Sequence, residues 1–392
     1  MISVKIFYMK EMFTTFFDYI DWRGDLSFDE APFSEVDGVI FSQLTYINFT
    51  DIVSSDFKNT VTLKQAFDTF SSIWKFSNSN IVGTMLSENM SKLFEKCSNS
   101  KRFGNVLISG YSYLCDSKQP VQFGAECFSL NDKKKTLVIA FEGTDDSFTG
   151  WYEDFSMSYK IPSPSQLLSV SYLKKALKVF WQKREIILTG HSKGGCNAVY
   201  AAANVKFSIT KKLQVIYNFD GPGFTDEILN SKGYLKIKEK IRNYYPHYSV
   251  IGQIYTHTPC DKIINSNING IMQHDPSSWN VLGGSFVYVE DYSSESRLFA
   301  KSINKWLRIN SEEDKKTISD SLFGCIYASG VNSNQELSKD KISCSKKIIS
   351  AYMKLEPEQK KLVQSTIGYL MNIFKDNIPL FNLFHSKKKD KE

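Results

Sequence analysis

A serine attacks a carbonyl only when a base can take its proton and its hydroxyl stands clear of the chain. Gly190-His191-Ser192-Lys193-Gly194 fits the pattern Gly-x-Ser-x-Gly, in which the serine occupies a turn so sharp that its neighbours must be small. Residues 185–188 before it are apolar and β-branched, as in a buried parallel strand, and the Ala-rich run 197–205 after it suits a buried helix. Strand, glycine-flanked serine and helix together are the setting of a nucleophile elbow, with Ser192 as the nucleophile.

The base must be a histidine, and the histidine needs an acid to fix its tautomer. There are five histidines. His191 adjoins the serine and cannot fold back to serve it, and His385 lies in a basic tail, which leaves His247, His257 and His274. His274 follows the last core strands, where an elbow architecture places its base, and it is preferred, with His257 in reserve. For the acid, Asp220 ends a strand just before a Gly-Pro-Gly turn that would hold it at the sheet edge, and Asp261 is the alternative. Asp275 is expected to cap the following Pro276-Ser277-Ser278 turn. The oxyanion hole requires two N–H donors, one from Lys193 and one from the loop after an earlier strand, where Thr144 could add its hydroxyl. The Lys193 side chain is read as solvated, the alternative being a cation that favours esters with an anionic head group.

The elements that must position these residues are legible along the chain. Up to residue 104 the pattern is mostly helical, with helices expected near 13–20, 33–49, 62–74 and 88–97. From residue 105 strands are expected at 106–115, 121–129 and 136–141, then an amphipathic helix at 165–181 and the elbow. Another strand follows at 213–219 and a Lys-rich helix at 232–244, then strands at 248–255, 262–265 and 286–289. Beyond residue 292 the pattern is helical, at 293–307, 312–328, 346–355 and 357–374. The chain is therefore read as a helical N-terminal extension packed on the core (1–104), an α/β core with a mostly parallel sheet and helices on both faces (105–292), and a helical C-terminal region (293–392).

The bulk numbers are ordinary for a soluble globular protein of that size. The 392 residues carry a net charge of +6, part of it from the tail Lys387-Lys388-Lys389-Asp390-Lys391, so nucleic-acid binding is not inferred. Seven scattered cysteines with no C-x-x-C argue for reduced thiols in a cytoplasm rather than disulfides or zinc. No signal peptide is read at the N-terminus, and no apolar run is long enough to span a membrane. The apolar segment 367–384 is read as a helix packed on the body, with peripheral membrane contact as the alternative.

FEGTDDSFTGWYEDF at 141–155 followed by ILTGHSKGG at 187–195 resembles the core of class 3 lipases. More of the chain, roughly 12–307, resembles a bacterial family of uncharacterised lipase-like proteins. The match rests on FDYIDWRGDLSFDEAPFSEVDGVIFSQLTYI, GTDDSFTGWYEDFSMSY, GHSKGG, NFDGPGF and MQHDPSSW. The resemblance implies an α/β-hydrolase fold, Ser192 as nucleophile, His274 as base and Thr144 in the oxyanion hole. The expectation is a serine ester hydrolase acting on carboxylic esters, lipid or phospholipid acyl esters among them, through an acyl-enzyme and with no metal or organic cofactor. Two rivals are a binding or scaffold protein on the same fold, and a thioesterase or peptidase using the same triad.

Overall fold

The computed structural model describes residues 14–73, 87–182, 185–206, 210–256 and 262–377. Eleven strands are formed among them: β1 (Val61–Thr62), β2 (Leu107–Asp116), β3 (Val121–Ser129), β4 (Leu137–Phe141), β5 (Ile186–His191), β6 (Leu213–Phe219), β7 (Ile241–Pro246), β8 (Lys262–Ile264), β9 (Val281–Leu282), β10 (Ser285–Phe286) and β11 (Tyr288–Val289). Nine of them make one sheet in the order β1-β2-β3-β4-β5-β6-β7-β8-β11, and β9 and β10 form a separate hairpin. The sheet is mixed. Strands β4 to β8 run parallel, whereas β1 to β4 and the β8–β11 edge pair antiparallel. The expected mostly parallel sheet is parallel at its centre, while β2, β3 and β4 are joined by short connections that return the chain antiparallel.

Parallel strands laid down in simple sequence, with crossovers of one hand, put every connecting helix on the same face. That face holds one core, in which Leu137, Ile139 and Phe141 of β4 meet Leu173 and Ala176 of the helix Pro164–Val179 and Val199 of the helix Lys193–Ala203. The alternate residues Val138 and Ala140 face a second core with Phe41, Phe103 and Phe128. Residues before 105 supply most of that second layer. The helix Glu35–Leu44 lies so close to the sheet that a Cβ on Gly38 would stand 2.9 Å from the Tyr217 ring, and Thr189 Oγ1 donates to Gly38 O at 2.8 Å. The N-terminal helices are consequently half of the sheet's packing, and β3, covered on both faces, is buried at all nine positions.

One buried ion pair fixes this layer. Asp37 closes the capping box of its helix by accepting from Ser34 N at 2.8 Å. The same carboxylate accepts two hydrogen bonds from Arg102, at 2.8 Å from Nε and 2.6 Å from Nη2, with both side chains fully buried. Arg102 Nη1 donates to Ala31 O at 2.9 Å, and the guanidinium lies 4.0 Å from the Phe28 ring centre. Planar, bidentate and shared with carbonyls, the pair is compensated on both sides.

The strand pattern departs from expectation between residues 232 and 255. The Lys-rich helix stops at Ile237, a 3-10 turn covers Lys238–Lys240, and Ile241–Pro246 becomes β7 in parallel register with β6. Its aromatic and β-branched residues fit a buried strand between β6 and β8 better than the end of a helix. The stretch 248–255 is a loop around the 3-10 turn Ile251–Gln253, and it wraps the end of β6. Four C-terminal helices, Ser294–Ile309, Glu312–Tyr327, Lys341–Met353 and Pro357–Asn377, agree with the expected helical end, and a short helix, Asn334–Lys339, lies between them. Among the described residues no helix is long and apolar enough to cross a membrane, and Cys97, Cys115, Cys127, Cys196, Cys325 and Cys344 are free.

Arg102→Met leaves Asp37 buried without its partner and should cost about 3–5 kcal/mol in urea unfolding. Glu126 on β3 is buried with neither oxygen hydrogen-bonded among the described residues, and burial holds its carboxyl well above the usual range. A raised native pKa means the folded state keeps a proton that the unfolded chain releases, so stability falls as pH rises above about 4.3. Glu126→Gln should therefore raise the melting temperature relative to wild type at pH 8 and leave it nearly unchanged at pH 4. An equal gain at both pH values would contradict this.

Candidate active site

The elbow is built by close approach. Ser192 has φ 55° and ψ −133°, a left-handed conformation that a non-glycine residue adopts only under constraint. Here the constraint is the meeting of β5 with the helix behind it. A Cβ on Gly190 would fall 2.2 Å from the Gly194 carbonyl carbon, and one on Gly194 would fall 2.1 Å from Phe141 O. Ser192 N donates to Phe219 O at 2.8 Å, tying the turn to the end of β6. The Ser192 side chain makes no capping hydrogen bond to the helix it precedes.

Asp220 follows β6 directly and also has a left-handed backbone, φ 49°. It is fully buried with both oxygens engaged. Oδ1 accepts from Ser249 Oγ at 2.5 Å and Gly252 N at 3.2 Å, while Oδ2 meets His274 Nδ1 at 2.6 Å. A carboxylate only accepts, so the His274 proton sits on Nδ1 and Nε2 is free as a base. Ser249 and Gly252 come from the loop read as a strand. A Cβ on Gly252 would lie 2.3 Å from Asp220 Oδ1, so the glycine is what lets the loop cradle the acid. His274 ends the 3-10 turn Gly270–His274, and its ring centre is 4.5 Å from that of His191. Asp275 caps the next turn, as expected, accepting from Ser277 N at 2.8 Å. His247 bonds Asp291 O at 2.8 Å. His257, Asp261 and His385 lie outside the described residues.

On the other side of Ser192 is the turn after β4. A Cβ on Gly143 would sit 3.3 Å from Ser192 Cβ, which brings the adjacent Thr144 beside the nucleophile. The Thr144 hydroxyl is already committed: it donates to Asp154 Oδ2 at 2.6 Å. Burial pushes the Asp154 carboxyl up to about 6, against the opposing pull of Lys193 and Thr144. Among the described residues the Thr144 backbone N–H makes no backbone hydrogen bond. Lys193 opens a helix, and helix geometry leaves its N–H without an intrahelical acceptor.

The Lys193 side chain overturns both sequence readings. It is neither solvated nor turned toward a ligand. Its ammonium is buried, 3.2 Å from Glu153 Oε2 and 3.8 Å from Asp154 Oδ1, and it donates to Gln122 O at 3.1 Å and Gln122 Oε1 at 2.5 Å. A charge this deep must be paired, and Glu153, on the helix Phe148–Ser156 that follows the Thr144 loop, pairs it. Glu153 and Asp154 stand inside the quoted stretch 141–155, but nothing in their spacing tells that one pairs Lys193 and the other accepts from Thr144, and Ser249 and Gly252 act on Asp220 across the chain. The C-terminal region was also missed as a support: Gln335 N donates to Asp146 Oδ2 at 2.9 Å and Phe148 N to Asn332 O at 2.8 Å, bracing the loop that carries Thr144.

No curated protein is similar enough in sequence to match the chain. Among solved structures, a Rhizomucor miehei lipase propeptide complex is 16% identical, covers 46% of this chain and 62% of its own, and has a TM-score of 0.31. The chain thus spans less than two thirds of that lipase. M37 lipase is 13% identical over 61% of this chain and 87% of its own, with a TM-score of 0.38. A fungal lipase–inhibitor complex is 13% identical over 68% and 95%, with a TM-score of 0.35. None of these overlaps is close enough to transfer a residue's role. The family model described as Mbeg1-like matches residues 97–324, more than half of the 392-residue chain. The chain belongs to the Mbeg1-like family.

Proposed function

We propose that the protein is a serine ester hydrolase of lipase type on an α/β-hydrolase fold. The observation that carries the reading is the 2.6 Å contact between Asp220 Oδ2 and His274 Nδ1 at the elbow of Ser192. It leaves His274 in the tautomer whose Nε2 can take the Ser192 proton. Ser192 Oγ would then attack the acyl carbonyl, and the backbone N–H groups of Lys193 and Thr144 would hold the oxyanion. His274 would protonate the departing alcohol, and water, activated by the same ring, would release the acid. Exposed Ile271 and Met272 beside His274, and Trp151 and Phe155 beyond the Thr144 loop, favour an apolar acyl group. The six cysteines among the described residues, all free, would suit a reducing, cytoplasmic setting.

Hydrolysis of short-chain p-nitrophenyl esters tests the proposal. Ser192→Ala should abolish turnover in a folded protein. Asp220→Asn offers Nδ1 an amide donor, favours the wrong tautomer and should lower kcat by about 10⁴-fold. If the wild type hydrolyses none of these esters, or if Ser192→Ala retains wild-type turnover, the reading fails and a binding role on the same fold is the better account.

A further inference from the structure

Ser192 and His274 are tied together by a residue between them that takes no part in the proposed proton transfer. His191 Nε2 lies 2.8 Å from the backbone oxygen of His274. A carbonyl only accepts, so the ring proton must be on Nε2, and Nδ1 must be the acceptor. Nδ1 faces the Tyr46 hydroxyl at 3.4 Å, a donor that supports this tautomer. The ring is buried, tilted 38° against the His274 ring and edge-on to Trp279 at 6.3 Å. Burial first, and then the neighbouring His274, hold its pKa well below the usual range. A neutral His191 does not oppose the charge that His274 takes on during turnover.

From this geometry we infer that His191, with its tautomer set by Tyr46, is a positioning residue that holds the histidine base at its working distance from Ser192. The inference rests on the hydrolase reading above. His191 is covalently next to the nucleophile and hydrogen-bonded to the backbone of the base, so it converts the stiffness of β5 into a fixed Ser192–His274 separation. Asp220 holds the His274 ring through Nδ1, but the backbone of the base stands at the end of a single 3-10 turn that starts at left-handed Gly270, φ 68°. A second anchor, Trp279 Nε1 donating to Gln273 O at 2.7 Å, holds the preceding residue but not His274 itself. Tyr46 follows the helix Glu35–Leu44, so the N-terminal layer reaches the reacting groups through this contact.

The test is a variant series on p-nitrophenyl ester turnover together with ¹⁵N NMR of the resting protein. His191→Leu removes the donor and should lower kcat by about 10²-fold, with KM unchanged because the ring does not touch substrate. His191→Gln keeps an N–H at similar reach and should recover most of that loss. Tyr46→Phe should lower kcat by a few-fold. The ¹⁵N shifts should report a neutral ring protonated on Nε2 from pH 5 to 8, whether or not the protein turns over an ester. Equal impairment of the Leu and Gln variants, wild-type kcat in His191→Leu, or a His191 ring that titrates in that range would overturn the inference. Absence of turnover by the wild type with the expected ¹⁵N shifts would sink the hydrolase reading and leave the tether standing.

Discussion

The approach of β4, β5 and the helix Lys193–Ala203 to within backbone contact is the constraint on which the site depends. Gly190 and Gly194 have no room for a side chain against their neighbours, so the chain must reverse at Ser192 in a left-handed conformation. That reversal sets the serine between two features that sequence leaves far apart. On one side stands Asp220, itself left-handed, with His274 on its outer oxygen. On the other stands the Gly143–Thr144 turn, pressed against Ser192 Cβ. Strain of this kind is kept only when the surroundings over-determine it. Here the two cores do so, one on each face of the sheet.

Charge is handled differently in the two layers. Arg102–Asp37 and Lys193–Glu153 are buried pairs with their remaining donors spent on carbonyls, so each holds its layer without an orphaned charge. Among the described residues neither Glu126 nor Glu142 forms an ion pair, although the Lys193 charge opposes the rise of Glu142. Burial raises both carboxyls well above the usual range, and for Glu142 the nearby Asp145 adds to the effect. Glu142 immediately precedes Gly143, so a group that resists ionisation lies directly under the turn beside the serine. Lys193 shows the logic most plainly: its backbone N–H is left at a helix N-terminus, while its side chain is turned back and neutralised inside.

How much of this was legible follows from where each residue's partners lie. The elbow could be read because its signals are local: two glycines, a serine, an apolar run and an Ala-rich run within twenty or so residues. Asp220 and His274 could be nominated because each follows a strand, and the structure brings those two together at hydrogen-bond distance. The strand at 241–246 was misread because three lysines just before it carried a helical pattern past the point where β6 offers an edge to pair with. The Lys193 side chain was misread because its partner Glu153 lies forty positions away on another helix. Ser249 and Gly252 were invisible for the same reason, since a glycine's role in cradling Asp220 depends on what it meets and not on its neighbours in sequence.

In the proposed hydrolase Ser192, His274 and Asp220 act as one unit with the Lys193 and Thr144 amides opposite. The most direct measurement is a crystal structure of the protein after reaction with a fluorophosphonate. The account predicts phosphorus bonded to Ser192 Oγ, its oxygen accepting from the N–H groups of Lys193 and Thr144, and His274 Nε2 turned toward the adduct with its Nδ1 still on Asp220. An unmodified Ser192, or an adduct with His274 directed away from it and unpaired from Asp220, would contradict it.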